Sequence, residues 1–180
     1  GEDVEETAEA LEAFCQERRV PMGTPVWFCV FSIYQPGSDP GDPGPSINDQ
    51  VILVPSPFQQ VIRSDEVRAG EGMVVLHTTT AEVYDRLWCV HEIDEALAQH
   101  VGVRAACSGR YSLVQAIIRF VAEHDVYEPG VVDPDFTVFT VHAECGSEDD
   151  TRRIRHEVES KDGGYGRLDR VITAFRREML

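Results

Sequence analysis

Lysine is nearly absent from this chain: Lys161 stands alone among 180 residues, and arginine supplies the rest of the 16 basic side chains. Acidic residues number 32, which leaves a formal net charge of −16. A surface so short of cations repels phosphate backbones and anionic headgroups, so neither nucleic acid nor a membrane surface is expected as a partner. The local exception, Arg152, Arg153 and Arg155, directly follows Glu148, Asp149 and Asp150 and reads as a helix complementing its own dipole. Long apolar runs are missing too. No stretch approaches the roughly 20 residues that span a bilayer. The first residues are acidic, so neither a secretory signal nor a membrane anchor is expected.

Closely paired cysteines are also lacking. The five at positions 15, 29, 89, 107 and 145 are odd in number and scattered, which excludes a disulfide framework. Cys29, Cys89 and Cys107 sit in apolar runs and read as small hydrophobes in a reducing compartment, with cytoplasm the expected location. There is no Cys-x-x-Cys pair and no His-Glu-x-x-His helix, so His142-Ala143-Glu144-Cys145, even with His91 or Cys89, does not make a metal site. A Cys89–His91 catalytic pair fails because residues two apart on a helix point in different directions. With no Gly-x-x-x-x-Gly-Lys-Ser/Thr loop, a P-loop nucleotidase is excluded, and no resident cofactor or metal is expected.

What is present suits one globular α/β domain over residues 1–180, or a piece of a longer protein. The chain is 42% hydrophobic and 27% charged, and its length lets folding remove about two thirds of the unfolded surface from water. Asp3 to Arg19 reads as a helix, with Asp3 and Glu6 at capping-box spacing and Val4, Ala8, Leu11 and Cys15 on one face. Val26 to Ser32 is an unbroken apolar run that reads as a strand buried on both faces. Pro36 to Asp49 alternates proline and glycine and reads as an irregular exposed loop. A short extended piece over Val51 to Val54 and a short helix over Pro57 to Arg63 follow.

Met73 to His77 predicts a second buried strand. Thr79 and Glu82, again at capping-box spacing, open a helix to about Gln99 whose inward stripe is Val83, Leu87, Val90, Leu97 and Val101. Val103 to Cys107 predicts a third strand. The next helix turns Leu113, Ile117, Phe120 and Val121 inward, and Phe136 to Val141 predicts a fourth strand. Ser147 caps a helix to about Ser160 with Ile154 and Val158 inside. Beyond Gly163 and Gly164 a last helix carries Tyr165, Leu168, Ile172, Phe175 and Met179 on one face. Helices alternating with short buried strands imply a parallel sheet covered on both sides.

Three segments in this order resemble a Toll/interleukin-1 receptor (TIR) domain. Val26–Ser32, the Pro/Gly loop and Phe58-Gln59-Gln60-Val61-Ile62-Arg63-Ser64 are similar to the family's second strand, BB loop and following helix. Met73–His77 is similar to its third strand, and Arg86-Leu87-Trp88-Cys89-Val90-His91-Glu92-Ile93 to its "Trp-Cys-x-x-Glu-Leu" helix. The Arg-hydrophobic-Trp-Cys-x-x-Glu pattern, Trp27 to Gln35 and Gly163 to Leu168 resemble in particular uncharacterised algal and protist proteins. The likeness runs well over Val26 to Cys107 and loosely elsewhere.

The resemblance implies a three-layer flavodoxin-like fold with a parallel sheet of four or five strands, in the order 2-1-3-4-5. The family's first strand has no counterpart, since the chain opens in what is similar to the first helix. The implied function is a signalling or assembly module acting through protein partners or self-association, with the Pro/Gly loop and the Trp88 helix as its surfaces. The alternative it implies is a hydrolase of NAD as substrate, in which the Glu92 carboxylate stabilises an oxocarbenium-like state. Trp88, one turn earlier on the same face, would stack on adenine. Without the motif, Glu92 reads as a solvated helix carboxylate and Trp88 as a packing residue.

Overall fold

The structure, a computed structural model, describes residues 3–28, 32, 34, 41, 44–46, 49–50, 52, 55–124 and 136–179. Its elements in chain order are α1 (Val4–Arg18), α2 (Pro57–Ile62), α3 (Asp65–Ala69), β1 (Met73–His77), a 3-10 turn (Val83–Asp85), α4 (Leu87–Ala98), β2 (Val103–Cys107), α5 (Gly109–Glu123), a second 3-10 turn (Thr140–His142), α6 (Glu148–Ser160) and α7 (Gly164–Met179). β1 and β2 pair in parallel with Met73 opposite Val103 and His77 opposite Cys107. α4 is the crossover between them, so the chain is an α/β protein whose described sheet has two strands.

Local signals set most helix starts. Asp3 accepts hydrogen bonds from the Glu5 and Glu6 backbone N–H groups and caps α1. Ser56 and Gln59 form a reciprocal capping box, with Pro57 in the first turn of α2. Ser147 accepts from Asp150 N–H and caps α6. Gly72 is required at its position: its φ is +79°, and a Cβ there would collide with the Gly102 carbonyl as the two chains enter the sheet.

One core unites the sheet with three helices. Val75 packs with Leu87, Val90 and Ile93 of α4, Ile154 and Val158 of α6, and Leu168, Ile172 and Phe175 of α7. Seven of these, Leu87, Val90, Ile93, Ile154, Val158, Leu168 and Ile172, are at most 1% exposed, and each such burial contributes about 2 kcal/mol. α1 lies against both strands outside this cluster, through Ala10 and Phe14. Asp94 ties α4 to α7: it is 1% exposed and receives the forked Arg167 guanidinium at 2.6 and 2.8 Å and Lys161 Nζ at 3.1 Å. Burial opposes its charge, but these cations outweigh it and hold the carboxyl below the usual range.

Several expectations are corrected. The described part of the Val26–Ser32 run is not a buried strand: Val26 and Phe28 are exposed, and Ser32 N–H donates to the Phe28 carbonyl, while residues 29–31 lie outside the described residues. Phe136–Val141 is not a strand either. Val138 N–H donates to Thr173 Oγ1 and Thr140 N–H to Asp169 Oδ1, so side chains of α7 capture the backbone that a ladder would need. The helix predicted from Thr79 begins only at Leu87. Thr79 gives both its N–H and its hydroxyl to Glu6, and the chain stays extended at Arg86, which bridges to Glu144.

The inward stripe of α1 is Glu6, Ala10 and Phe14, with Leu11 and Cys15 half-buried beside it and Val4 and Ala8 exposed. α5 turns Tyr111 and Gln115 inward, whereas Leu113, Ile117 and Phe120 face out. The Pro36–Asp49 loop and Val51–Val54 lie largely outside the described residues. Among the described residues no helix is long and apolar enough to cross a membrane.

Candidate functional site

Trp88 and Glu92 occupy α4 one turn apart, where the spacing put them. The Trp88 ring is enclosed by neighbours: Phe58 at 5.1 Å between centroids, the Arg153 guanidinium 5.0 Å over its face, and Asp150 Oδ2 3.3 Å from its indole N–H. Trp27 meets the other side of Phe58 at 5.4 Å. The structure thus brings together three aromatic rings, Trp27 edge-on to Phe58 of α2, and Phe58 tilted against Trp88 of α4. Trp88 is half-buried and packs against the core. Glu92 is half-buried, and its carboxylate makes no hydrogen bond or ion pair to a described residue. Burial pushes its carboxyl up to about 7, against the pull of Arg86.

The carboxyl ends of parallel strands are where open α/β sheets gather ligands, and here they carry polar groups that the sequence reading passed over. After β1 come Thr78, Thr79 and Thr80, and after β2 come Ser108 and Gly109. Two carboxylates of α1 take their donors. Glu6, 3% exposed, accepts from Thr79 N–H at 2.8 Å, from Thr79 Oγ1 at 2.9 Å and from the Ser108 hydroxyl. Glu9 accepts from Gly109 N–H at 3.2 Å. Burial works against the Glu6 charge, and these bonds overcome it and lower its pKa.

Beneath them His77, the last residue of β1, sits between the rings of Tyr84 and Tyr111 at 5.6 and 5.1 Å. Among the described residues, neither imidazole nitrogen nor the Tyr84 hydroxyl has a hydrogen-bond partner. Burial, helped by Arg176, brings His77 down to about 4, and burial pushes Tyr111 up to about 12. All three are therefore neutral at pH 7. Arg176 lies 5.1 Å over the Tyr84 ring and donates to Glu82 at 3.3 Å. The available signal was positional, a histidine closing a buried parallel strand.

A cleft of about 490 Å³ runs along the outer edge of β2. Its floor is Val103 to Cys107, and its walls come from α1 (Ala13, Phe14, Glu17) and α7 (Phe175, Glu178). Neither Glu92 nor Trp88 lines it. Beside it, α5 exposes Leu113 (63%), Ile117 (54%) and Phe120 (57%) on one face, flanked by Val114. Among the described residues, no three or more His, Cys, Asp or Glu side chains converge as a metal centre needs. No family model matches the chain, and neither a curated protein nor a solved structure is significantly similar to it.

Proposed function

We propose that the chain is a TIR-like assembly module that associates with copies of itself, within a flavodoxin-like sheet larger than its two described strands. The fold part of this reading is supported by the β1–α4–β2 crossover, in which the Trp-Cys-x-x-Glu helix follows a buried parallel strand. The function rests on one observation, the outward apolar stripe of α5. Leu113, Ile117 and Phe120 recur at i, i+4 and i+7, so they form one contiguous strip rather than scattered surface residues. No described residue covers it. A second copy suits it because α5 carries Arg110 and Arg119 against Glu123 alone, and so escapes the repulsion that −16 imposes elsewhere.

Light scattering over a concentration series tests the reading. The wild type gains mass with concentration, and the Ile117→Glu/Phe120→Glu variant stays monomeric with unchanged helicity. A wild type that remains strictly monomeric at the highest concentration sinks the proposal.

The second reading, a NAD hydrolase, is favoured by the desolvated carboxyl of Glu92 on the motif helix. Only the ionised form stabilises a developing oxocarbenium charge. Nicotinamide release should therefore climb as pH rises through about 7, and Glu92→Ala should abolish it. Turnover that survives the substitution, or none from folded wild type, removes this reading.

A further inference from the structure

The register of the two strands fixes which way every backbone group of β2 points. Met73 N–H donates to the Gly102 carbonyl at 2.9 Å, and Ser108 N–H donates to the His77 carbonyl at 3.0 Å. Backbone groups alternate sides along a strand. Arg104 and Ala106 therefore bond β1, and Val103, Ala105 and Cys107 aim their N–H and C=O groups away from it. No described strand pairs with that side. It opens instead into the 490 Å³ cleft, whose floor is all five residues of β2.

An unpaired row of strand donors and acceptors is a template for another strand. Five residues at about 3.3 Å each give a track of about 17 Å. The small side chains of Ala105, Ala106 and Cys107 leave room for close approach. The walls are charged. Glu17 of α1 and Glu178 of α7, both exposed, flank the cleft on its two sides. The one cation among its described lining residues, Arg104, is engaged by Glu71, through the carboxylate at 3.2 Å and the backbone carbonyl at 2.9 Å.

We infer that the free edge of β2 binds an extended, basic segment of a partner protein as an added strand. The partner's backbone pairs with Val103, Ala105 and Cys107, and its cationic side chains reach Glu17 and Glu178. The overall charge of −16 draws the same kind of segment in from a distance. A second copy of this acidic chain is disfavoured here by the same two carboxylates. The surface is separate from the apolar stripe of α5, so the two proposals stand or fall apart.

The probe is a short blocked peptide of alternating lysine and valine, compared with a glutamate–valine peptide and a lysine–proline peptide that cannot form a ladder. Binding is followed by fluorescence anisotropy and by amide exchange. Only the lysine–valine peptide should bind, and it should slow exchange at Val103, Ala105 and Cys107, while Arg104 and Ala106 are already protected by β1. Ala105→Pro removes one outward N–H and no bond to β1, so it should keep the fold and weaken binding at least tenfold. Should that variant fail to fold, Glu17→Lys/Glu178→Lys decides alone by reversing the preference toward the glutamate–valine peptide. Equal binding of the lysine–proline peptide, or no reversal, overturns the inference. So does protection of the three outward amides without peptide, whether concentration-independent, from the chain's own residues, or concentration-dependent, from a second copy.

Discussion

Glu92 shows how one side chain carries two accounts with opposite signs for stability. In the unfolded chain a glutamate ionises near pH 4.3, whereas burial holds this one protonated to about 7. Between those values the unfolded state releases its proton first, so stability falls as pH rises and the whole cost is in place above 7. Glu92→Gln should therefore unfold at a higher temperature than wild type at pH 8 and at the same temperature at pH 4. A variant that is less stable at pH 8 would mean that Glu92 has a favourable partner there. Glu6 was the residue least legible in the sequence. Its spacing from Asp3 reads as a capping box, and nothing local says that its carboxylate turns instead to Thr79 and Ser108. That one inward carboxylate moves the buried stripe of α1 one column round, to Ala10 and Phe14.

Among the elements, β1 and β2 were legible to the residue, β1 as a compact apolar run and β2 as a short run set between Gly102 and Ser108. α6 and α7 were as clear, with Ser147 as a cap and Ile154, Val158, Leu168 and Ile172 in phase and fully buried. Phe136 to Val141 has the same strand-like composition, but Asp169 and Thr173 across the fold claim its N–H groups, and no local pattern reveals that competition. The join between α4 and α7 depends on Asp94. Asp94→Asn should cost about 3 kcal/mol, the low end for a broken buried pair, because Arg167 and Lys161 keep some contact with water. Its carboxyl is held low, so the pair's contribution is complete above the unfolded value of about 3.9 and is lost as pH falls through the lower folded value. Urea denaturation of both proteins at pH 7 and in the acid range measures each part, and a loss at pH 7 below about 1 kcal/mol would deny Asp94 this role.

At the scale of the molecule, hydrophobic periodicity located α5 correctly and misassigned its face. The pattern Leu113, Ile117, Phe120 is that of a core helix, and periodicity alone cannot tell a core from an interface. The same ambiguity makes the stripe informative once the structure turns it outward. On the Trp88 helix, expected as a contact surface, the half-buried indole packs against Phe58, Arg153 and Asp150. The proposed self-association is therefore tested at α5. A methyl NMR dilution series reads this most directly, because Leu113 and Ile117 lie on the stripe while Ile93 and Leu168 lie in the core. The account predicts that the Leu113 and Ile117 signals shift with concentration and that those of Ile93 and Leu168 do not. Stripe signals that stay fixed across the series would contradict it.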